Sequence, residues 1–258
     1  MLQEERFLRI VKYLEQNKTA TLADLSEVVN ASIGTVRRDL AELEKSGSLK
    51  IVRGGAVYRS DDLTRQVFDI RGIEHKAEKQ ELSQLVGTVV VDGQTIALNS
   101  GTTNIEVAKY LVGNYYRLTI ITNNLRIIDI LEHGKDFTII VPGGVFDPKE
   151  YAIFGKSCED DILSYNIDTA LFAVNGISCE KGITDFRMKE VGIIQALLKT
   201  SKRKVVVADS SKFDRVAYLN VCQLSEIDCI LTDSGISDAM IEKYEKHNVK
   251  VISPRAGK

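Results

Sequence analysis

Apolar residues recur at helical spacing through the first part of the chain and predict three short helices. The first ends near Asn17, and its inward face carries Phe7, Ile10, Val11 and Leu14. The second begins at Thr21, where Asp24 completes a capping box. The third begins at Ser32, and its inward face carries Ile33, Val36, Leu40 and Leu43. Three such helices, with a tight turn between the last two, predict a helix-turn-helix.

The residues that a helix-turn-helix presents to a DNA groove are the outward ones at the start of its third helix. Here they are small or basic, namely Ser32, Gly34, Thr35, Arg37 and Arg38. Residues 48–58 predict two short strands around a Gly-Gly turn, which form a wing. Arg53 near its tip is placed to reach backbone phosphate. The alternatives are a solvated face, with Arg38 paired to Glu42, and a protein-docking module without DNA affinity.

From residue 76 onward, apolar runs alternate with segments of helical spacing. The predicted strands are Thr95–Leu98, Leu118–Thr122, Phe137–Val141, Asp168–Val174, Lys204–Ala208, Cys229–Leu231 and Val249–Ile252. The predicted helices between them are Asn104–Val112, Asn124–Glu132, Lys156–Leu163, Lys189–Lys199 and Asp238–Lys246. Wholly apolar strands separated by helices are typical of a mainly parallel sheet covered on both faces. The predicted fold class is α/β, with a winged helix-turn-helix domain over 1–58, a linker over 59–75 and a larger α/β domain over 76–258.

Composition adds limits to this picture. The 258 residues are 44% hydrophobic, which is enough for large cores in two domains. The net charge of −2 argues neither for nor against nucleic acid. The four cysteines are far apart in the chain, which is typical of reduced thiols in a cytoplasmic protein, and no metal or cofactor is predicted. The charged first residues and the absence of a long apolar run predict neither a signal peptide nor a membrane association.

Polar residues follow five of the predicted strands, and in parallel α/β sheets ligands bind beyond the carboxyl ends of the strands. Each motif taken singly also fits a turn, a helix cap or a solvated cation, but their shared position favours a small-molecule pocket. The candidate effector-binding residues, with one acid from the following helix, are Asn99, Ser100, Gly101, Thr102, Thr103, Thr122, Asn123, Gly143, Gly144, Asn175, Gly176, Glu190 and Lys212.

The turn Ser100–Thr103 is the strongest of these motifs. It joins a predicted strand to a predicted helix, so backbone N–H groups are unpaired there, and its hydroxyls and glycine allow a close approach. Such a turn is suited to a phosphate group, whose charge Lys212 would balance. The alternative is a helix capped by Ser or Thr with nothing bound.

Several runs in the chain resemble motifs of one protein family. Thr35 to Leu40 reads Thr-Val-Arg-Arg-Asp-Leu, and the wing reads Arg-Gly-Gly-Ala from Arg53. Further on, the chain contains Asn-Ser-Gly-Thr-Thr, Ile-Thr-Asn-Asn, Pro-Gly-Gly, Val-Asn-Gly-Ile and Ala-Asp-Ser-Ser-Lys-Phe. These runs resemble the DNA-binding signature and the sensor-domain motifs of the DeoR family of bacterial transcriptional regulators, over nearly the whole chain.

The resemblance implies a repressor of a carbohydrate-utilisation operon that binds double-stranded operator DNA and is controlled by a phosphorylated sugar or related metabolite. The DeoR sensor domain is similar to ribose-5-phosphate isomerase, whose Ser-Gly-Ser-Thr phosphate turn matches Ser100–Thr103 and whose Ala-Asp-Ala-Ser-Lys matches Ala208–Lys212. The family commonly has Asp where this chain has Asn99, which removes a possible acceptor for sugar hydroxyls. Because the DNA site of a single winged domain is short and weak, we also expect a homo-oligomer.

The alternative function is a sugar-phosphate isomerase with an appended DNA- or protein-binding domain. Isomerisation needs a general base, normally a carboxylate, and the candidates are Asp168, Asp185 and Glu190. Asp168 begins a strand and so lies opposite the pocket, while Glu190 also fits a solvated acid in the first turn of a helix. Asn175 stands where a catalytic arrangement would use an acid. We therefore expect binding without turnover, and no catalytic residue.

Overall fold

A computed structural model describes residues 3–17, 19–58, 71–72 and 74–254 of the chain. The chain divides into two compact units, residues 1–74 and residues 75–258. Most of the predicted linker, residues 59–70 and 73, lies outside the described residues. No helix within the described ranges has the length and apolar character that a membrane span requires.

Within residues 3–17 and 19–58, the first unit contains three helices and a small antiparallel sheet. Its helices are α1 (Gln3–Asn17), α2 (Leu22–Val29) and α3 (Ile33–Lys45). Its strands are β1 (Thr19–Thr21), β2 (Leu49–Val52) and β3 (Gly55–Tyr58), in the order β1-β3-β2. The predicted capping box forms, since Asp24 N donates to Thr21 Oγ1 at 3.1 Å and Thr21 N donates to Asp24 at 2.9 Å. Sequence-readable caps therefore set the start of α2, and Ser32 likewise caps α3.

The inward face of α3 agrees with the prediction except at its first residue. Val36, Leu40 and Leu43 are buried, whereas Ile33 is 45% exposed, so its predicted burial is wrong. The Cα–Cβ bonds of a helix tilt toward its N-terminus, and the side chain of a first residue therefore projects beyond the helix end.

A buried ion pair that sequence reasoning did not predict ties α1 to α3. Asp39 is 1% exposed and accepts two hydrogen bonds from Arg6, from Nε at 2.6 Å and from Nη2 at 3.0 Å. A bidentate guanidinium–carboxylate pair fixes direction as well as distance. It thereby holds α3 in place against α1.

The second unit is built on a seven-stranded sheet in which every neighbouring pair is parallel. Its strands are β4 (Thr95–Leu98), β5 (Arg117–Thr122), β6 (Asp136–Ile140), β9 (Ile167–Ala173), β12 (Ser201–Val207), β14 (Cys229–Leu231) and β15 (Lys250–Ile252). Its helices are α4 (Lys76–Ser83), α5 (Thr102–Asn114), α6 (Leu125–Leu131), α7 (Lys156–Leu163), α8 (Met188–Thr200) and α9 (Asp238–Glu245). The seven predicted strands and the parallel α/β architecture are confirmed.

Both faces of this sheet are covered. Along β4, Ile96 and Leu98 belong to one hydrophobic cluster and Ala97 to the other. Successive side chains of a strand point to opposite faces, so one cluster lies on each side. This explains why the strands are apolar throughout and do not alternate.

Five short antiparallel strands surround the sheet and were not predicted. β7 (Val145–Asp147) and β8 (Ala152–Phe154) form a hairpin. β10 (Gly176–Ser178), β11 (Gly182–Asp185) and β13 (Leu219–Cys222) form a separate sheet in the order β10-β11-β13. Strands of three or four residues are too short to show an alternating pattern in sequence.

The strand order β15-β14-β12-β9-β4-β5-β6 identifies the ligand-binding edge of the large sheet. The chain runs outward from β4 through β5 to β6, then returns to β9 beside β4 and runs outward in the other direction. The point between β4 and β9 is therefore a topological switch point, where ligands of open α/β sheets bind. The carboxyl ends of these strands lead into Asn99 and Val174.

Candidate functional site

The start of α3 presents the small and basic residues that the sequence predicted for a DNA groove. Ser32 Oγ accepts a hydrogen bond from Thr35 N at 3.2 Å, and Gly34 is exposed. Arg37 is exposed and makes no hydrogen bond or ion pair within the described part of the chain. Arg38 Nε donates to the carbonyl of Gly34 at 3.3 Å. Both guanidinium groups therefore lie at one exposed helix end.

The alternative pairing of Arg38 with Glu42 does not form. Glu42 instead accepts a hydrogen bond from Lys45 at 3.1 Å. Arg53 lies exposed in the turn between β2 and β3, and no ion pair with another described residue neutralises it. Among the described residues, no carboxylate thus pairs with the arginines at the start of α3 or at the wing tip.

The turn after β4 leaves the start of α5 open. Gly101 is the N-cap residue of α5, and no side chain caps the helix within the described residues. The predicted alternative, a Ser or Thr cap, does not form. A Cβ at Gly101 would lie 2.5 Å from Cβ of Ala173 on β9, so only glycine fits between these strand ends. A helix start without a side-chain cap is an arrangement that suits an anion.

A buried lysine that was not predicted contacts this turn. Lys79, on α4, is 4% exposed, and its Nζ donates to Thr102 Oγ1 at 3.2 Å. The sequence does hold a signal for it, because Lys79 lies three and seven residues before the buried Leu82 and Val86 and so shares their helix face. A cation on an apolar face is costly unless it has a partner.

A buried arginine on the other side of the turn was also missed. Arg187 is 7% exposed, and its Nη1 donates to the carbonyl of Ser100 at 2.5 Å. Its Nε and Nη2 donate to the two oxygens of Asp185 at 3.0 and 2.7 Å, and Nη2 also donates to the carbonyl of Ala173 at 3.0 Å. Burial acts to raise the pKa of Asp185, but Arg187 outweighs it and holds that pKa below its usual value. Arg187 thus joins β9, β11 and the Ser100 turn.

Glu190, in the first turn of α8, is completely buried. Its exposure is 0%, and neither carboxylate oxygen has a hydrogen-bond partner among the described residues. Burial raises its pKa to about 7; the charge of Arg187 and the side chain of Asn99 oppose the rise, while Asp185 and Glu150 add to it. The alternative of a solvated first-turn acid is therefore wrong. An ionisable group in this condition marks a functional site more often than a structural one.

The remaining polar strand ends are held in networks. Asn99 Nδ2 donates to the carbonyl of Ala173 at 3.1 Å, and its Oδ1 accepts from Ala173 N at 2.7 Å. Asn175 Nδ2 donates to Asp185 at 2.8 Å. Thr122 and Asn123 are buried at the end of β5, and Asn123 Oδ1 has no partner within the described residues. These amides fix the strand ends around the switch point.

The predicted glycines and Thr103 lie around the same edge. Thr103 is buried in the first turn of α5. Gly143 N donates a hydrogen bond to Asp161 at 2.7 Å. Gly144 has φ +147, and a Cβ placed there would lie 2.6 Å from the carbonyl oxygen of Phe154. Gly176 begins β10. Packing accounts for these glycines.

Lys212 lies at a different strand end from the Ser100–Thr103 turn, where it was predicted to balance the charge of a bound phosphate. It ends the 3₁₀ segment Ser210–Lys212 after β12, and β9 separates β12 from β4. Its Nζ is 3.9 Å from Asp209, and no hydrogen bond or ion pair between described residues joins it to the turn. The cations that contact the turn in this structure are Lys79 and Arg187.

The loop of the β7–β8 hairpin covers Ser100. The carbonyl oxygen of Glu150 accepts hydrogen bonds from Ser100 Oγ at 3.5 Å and from Asn124 Nδ2 at 3.1 Å. Ser100 is 0% exposed as a result. The loop residue Tyr151 has φ +50, and at one end of the hairpin Lys189 Nζ lies 2.7 Å from Asp147. A backbone oxygen therefore occupies the position where two donors would otherwise meet an anion.

Known proteins match this chain along nearly its full length. Residues 6–62 match the family described as DeoR-like helix-turn-helix domain, and residues 74–234 match the DeoR C terminal sensor domain. The HTH-type transcriptional regulator GolR of Listeria innocua is 30% identical over 97% of this chain and 98% of its own. The glycerol-3-phosphate regulon repressor of Escherichia coli is 28% identical over 97% of this chain and 99% of its own. Ribose 5-phosphate isomerase A of Methanocaldococcus jannaschii aligns with TM-score 0.39 and 13% identity over 54% of this chain and 55% of its own.

Proposed function

Because the chain belongs to the DeoR family of transcriptional regulators, we propose that it represses a carbohydrate-utilisation operon and that a phosphorylated sugar controls its hold on operator DNA. The protein is a regulator and not an enzyme. Its helix-turn-helix domain binds DNA and its C-terminal domain is an effector sensor. The proposal concerns which effector is sensed, where it binds and what the binding does.

The Ser100–Thr103 turn is the observation that carries the proposal. It begins a thirteen-residue helix whose first N–H groups have no side-chain cap, and the buried cation of Lys79 reaches it at Thr102. Helix N-termini and buried cations both favour a group with two negative charges, and the turn lies at the topological switch point. A phosphate ester fits this combination, and the polar strand ends around it suit a sugar.

One relative supports the same class of ligand. The name of the glycerol-3-phosphate regulon repressor couples that protein to genes for a phosphorylated three-carbon polyol. A phosphorylated polyhydroxy compound is therefore a reasonable effector class for this chain too. Its DNA-reading residues are Ser32, Gly34, Thr35, Arg37, Arg38 and Arg53. We further propose that the second unit assembles a homo-oligomer, because two heads bind DNA far more tightly than one.

A titration of sugar phosphates against the complex of the full chain with its own upstream DNA tests the proposal. We expect at least one pentose or hexose phosphate to change the DNA affinity, in a direction that the titration reveals. Lys79→Met should raise the effector concentration required by roughly 10- to 100-fold, since it removes a charged hydrogen-bond donor. DNA affinity without effector should remain, which reports that the variant is folded.

Lys202→Met is the matched control. Lys202 is 76% exposed and pairs with Asp168 at the opposite end of the sheet, so its loss should leave the response unchanged. Lys212→Ala measures whether that lysine contributes at a distance. DNA affinity that no phosphorylated sugar alters, or a response that Lys79→Met leaves intact, would contradict the proposed site.

A further inference from the structure

We propose that Glu190 selects the effector, by accepting hydrogen bonds from hydroxyl groups of its carbon chain and by excluding phosphorylated compounds whose chain carries a carboxylate. The inference rests on the proposed function and names the ligand class of the same site. The class consists of sugar and polyol phosphates, without the phosphorylated sugar acids.

The first argument is the condition of the carboxylate itself. Glu190 is 0% exposed, and both of its oxygens lack a hydrogen-bond partner among the described residues. A buried carboxylate without partners is strongly destabilising, and such groups in native proteins have an explanation in function or in a missing partner. Hydroxyl groups of a bound ligand would supply donors to these oxygens.

The second argument is position. Glu190 N donates to the carbonyl of Arg187 at 2.9 Å, and Arg187 Nη1 donates to the carbonyl of Ser100 at 2.5 Å. The backbone of Glu190 thus lies one residue contact away from the Ser100–Thr103 turn, and its side chain interacts with Asn99, the residue that precedes the turn. Lys79 reaches the same turn at Thr102. A ligand with its phosphate on the turn would extend its carbon chain toward Glu190.

The third argument is that the neighbours of Glu190 cannot replace it as a hydrogen-bond acceptor for ligand hydroxyl groups. The side-chain oxygen of Asn99 is committed, because it accepts hydrogen bonds from Ala173 N and from Asn104 Nδ2. Arg187 makes four hydrogen bonds, to Asp185, to Ser100 and to Ala173, so a ligand carboxylate finds no free bidentate partner there. Among these groups only Glu190 offers uncommitted acceptors.

The charges around Glu190 then determine which ligand carbon chains the site accepts. An ionised carboxylate is an acceptor only, so it pairs with hydroxyl donors and repels a second carboxylate. Asp185 and Glu150 add two negative charges near Glu190, against the single positive charge of Arg187. The site is therefore positive at the phosphate end and negative at the chain end, which favours a neutral polyhydroxy chain.

Calorimetric titration of the full chain with matched ligand pairs tests the inference. The pairs are glucose 6-phosphate with 6-phosphogluconate and ribose 5-phosphate with 5-phosphoribonate, at about pH 8, where Glu190 is ionised. We expect the neutral-chain member of a pair to bind at least about tenfold more tightly. Glu190→Gln should weaken the binding of the neutral-chain member by roughly 10- to 100-fold and should narrow or reverse the preference for it over the acid. The affinity for inorganic phosphate should stay within about twofold of the wild-type value.

The matched control is Glu180→Gln, because Glu180 is in the same unit and its side chain is 83% exposed. It should bind every ligand as the wild type does. Phosphorylated ligands that bind with equal affinity within each pair, or that bind the Glu190→Gln variant unchanged, would overturn the role of Glu190 and leave the proposed function standing. Failure of every phosphorylated ligand and of inorganic phosphate to bind the wild type would overturn both.

Discussion

Two buried ionisable residues at the start of α8 differ in how their charge is compensated. Arg187 is paired with Asp185, whereas Glu190 has no partner within the described residues. Burial accordingly raises the pKa of Glu190 from 4.5 to about 7. Between these values the folded chain holds a proton that the unfolded chain releases. The associated stability is complete below the unfolded value of 4.5 and is lost as the pH rises through about 7.

We expect Glu190→Gln to stabilise the protein relative to the wild type by an amount that grows between about pH 5 and about pH 8. The increase should reach roughly 3 kcal/mol, because glutamine carries no charge to desolvate. Urea unfolding at a series of pH values measures it. For Glu180→Gln, the difference in unfolding free energy from the wild type should not change with pH. A pH-independent difference for Glu190→Gln would show that this group does not titrate in the folded protein.

At the same scale, Arg37 is the residue whose proposed DNA contact is easiest to test, since it is exposed and makes no hydrogen bond or ion pair among the described residues. We expect Arg37→Ala to weaken DNA binding and, if the contact is to phosphate, to lower the slope of log affinity against log salt by about one. Binding measured over a range of salt concentrations checks this. Arg9→Ala removes an arginine that pairs with Glu5 on α1 and should change neither quantity.

At the scale of elements, local signals in the sequence predicted most of what formed. Thr21 with Asp24 and Ser32 start their helices through contacts within one turn, and apolar runs predicted all seven strands of the large sheet. The short hairpin of β7 and β8 was missed, because its three-residue strands are fixed by packing and not by pattern. Contacts within one helical turn can therefore be predicted from the sequence, whereas strand pairing that depends on tertiary packing cannot.

The caps give a direct measurement of this local contribution. We expect Thr21→Ala to lower the free energy of unfolding of the first unit by about 1 kcal/mol, because it removes the acceptor for Asp24 N. Thermal or urea unfolding followed by circular dichroism reports the change. Thr19→Ala, at an exposed position of the same strand, is the control, and equal effects of both would contradict a capping role.

At the scale of the whole molecule, the site could be predicted in place but not in composition. Strand ends gather at one edge of a parallel sheet, so motifs distant in sequence were expected together. The cations that contact the turn come from Lys79 on α4 and Arg187 on α8, which lie far from the turn in sequence. Only the fold shows which of the many charged residues are buried there. Lys212, the predicted cation, pairs with Asp209 instead.

The hairpin that covers Ser100 is held next to its loop by the contact between Lys189 and Asp147, the last residue of β7. We expect Lys189→Met to accelerate association of an effector phosphate severalfold with a smaller change in its equilibrium affinity. Stopped-flow anisotropy of labelled operator DNA follows the response. Lys181→Met, which removes an exposed lysine that neighbours Glu180, should leave the rate unchanged, and an unaltered rate in Lys189→Met would show that the hairpin does not limit entry.

The hydrogen bonds to the carbonyl of Glu150 therefore affect how fast an effector can bind. Because this carbonyl accepts hydrogen bonds from Ser100 and Asn124, an effector that binds this turn as proposed would have to wait for the loop to move away. The observed rate of capture should level off as the metabolite becomes abundant, at the frequency with which the loop opens. Gene expression would then follow a sustained supply of the nutrient and disregard a pulse shorter than that interval.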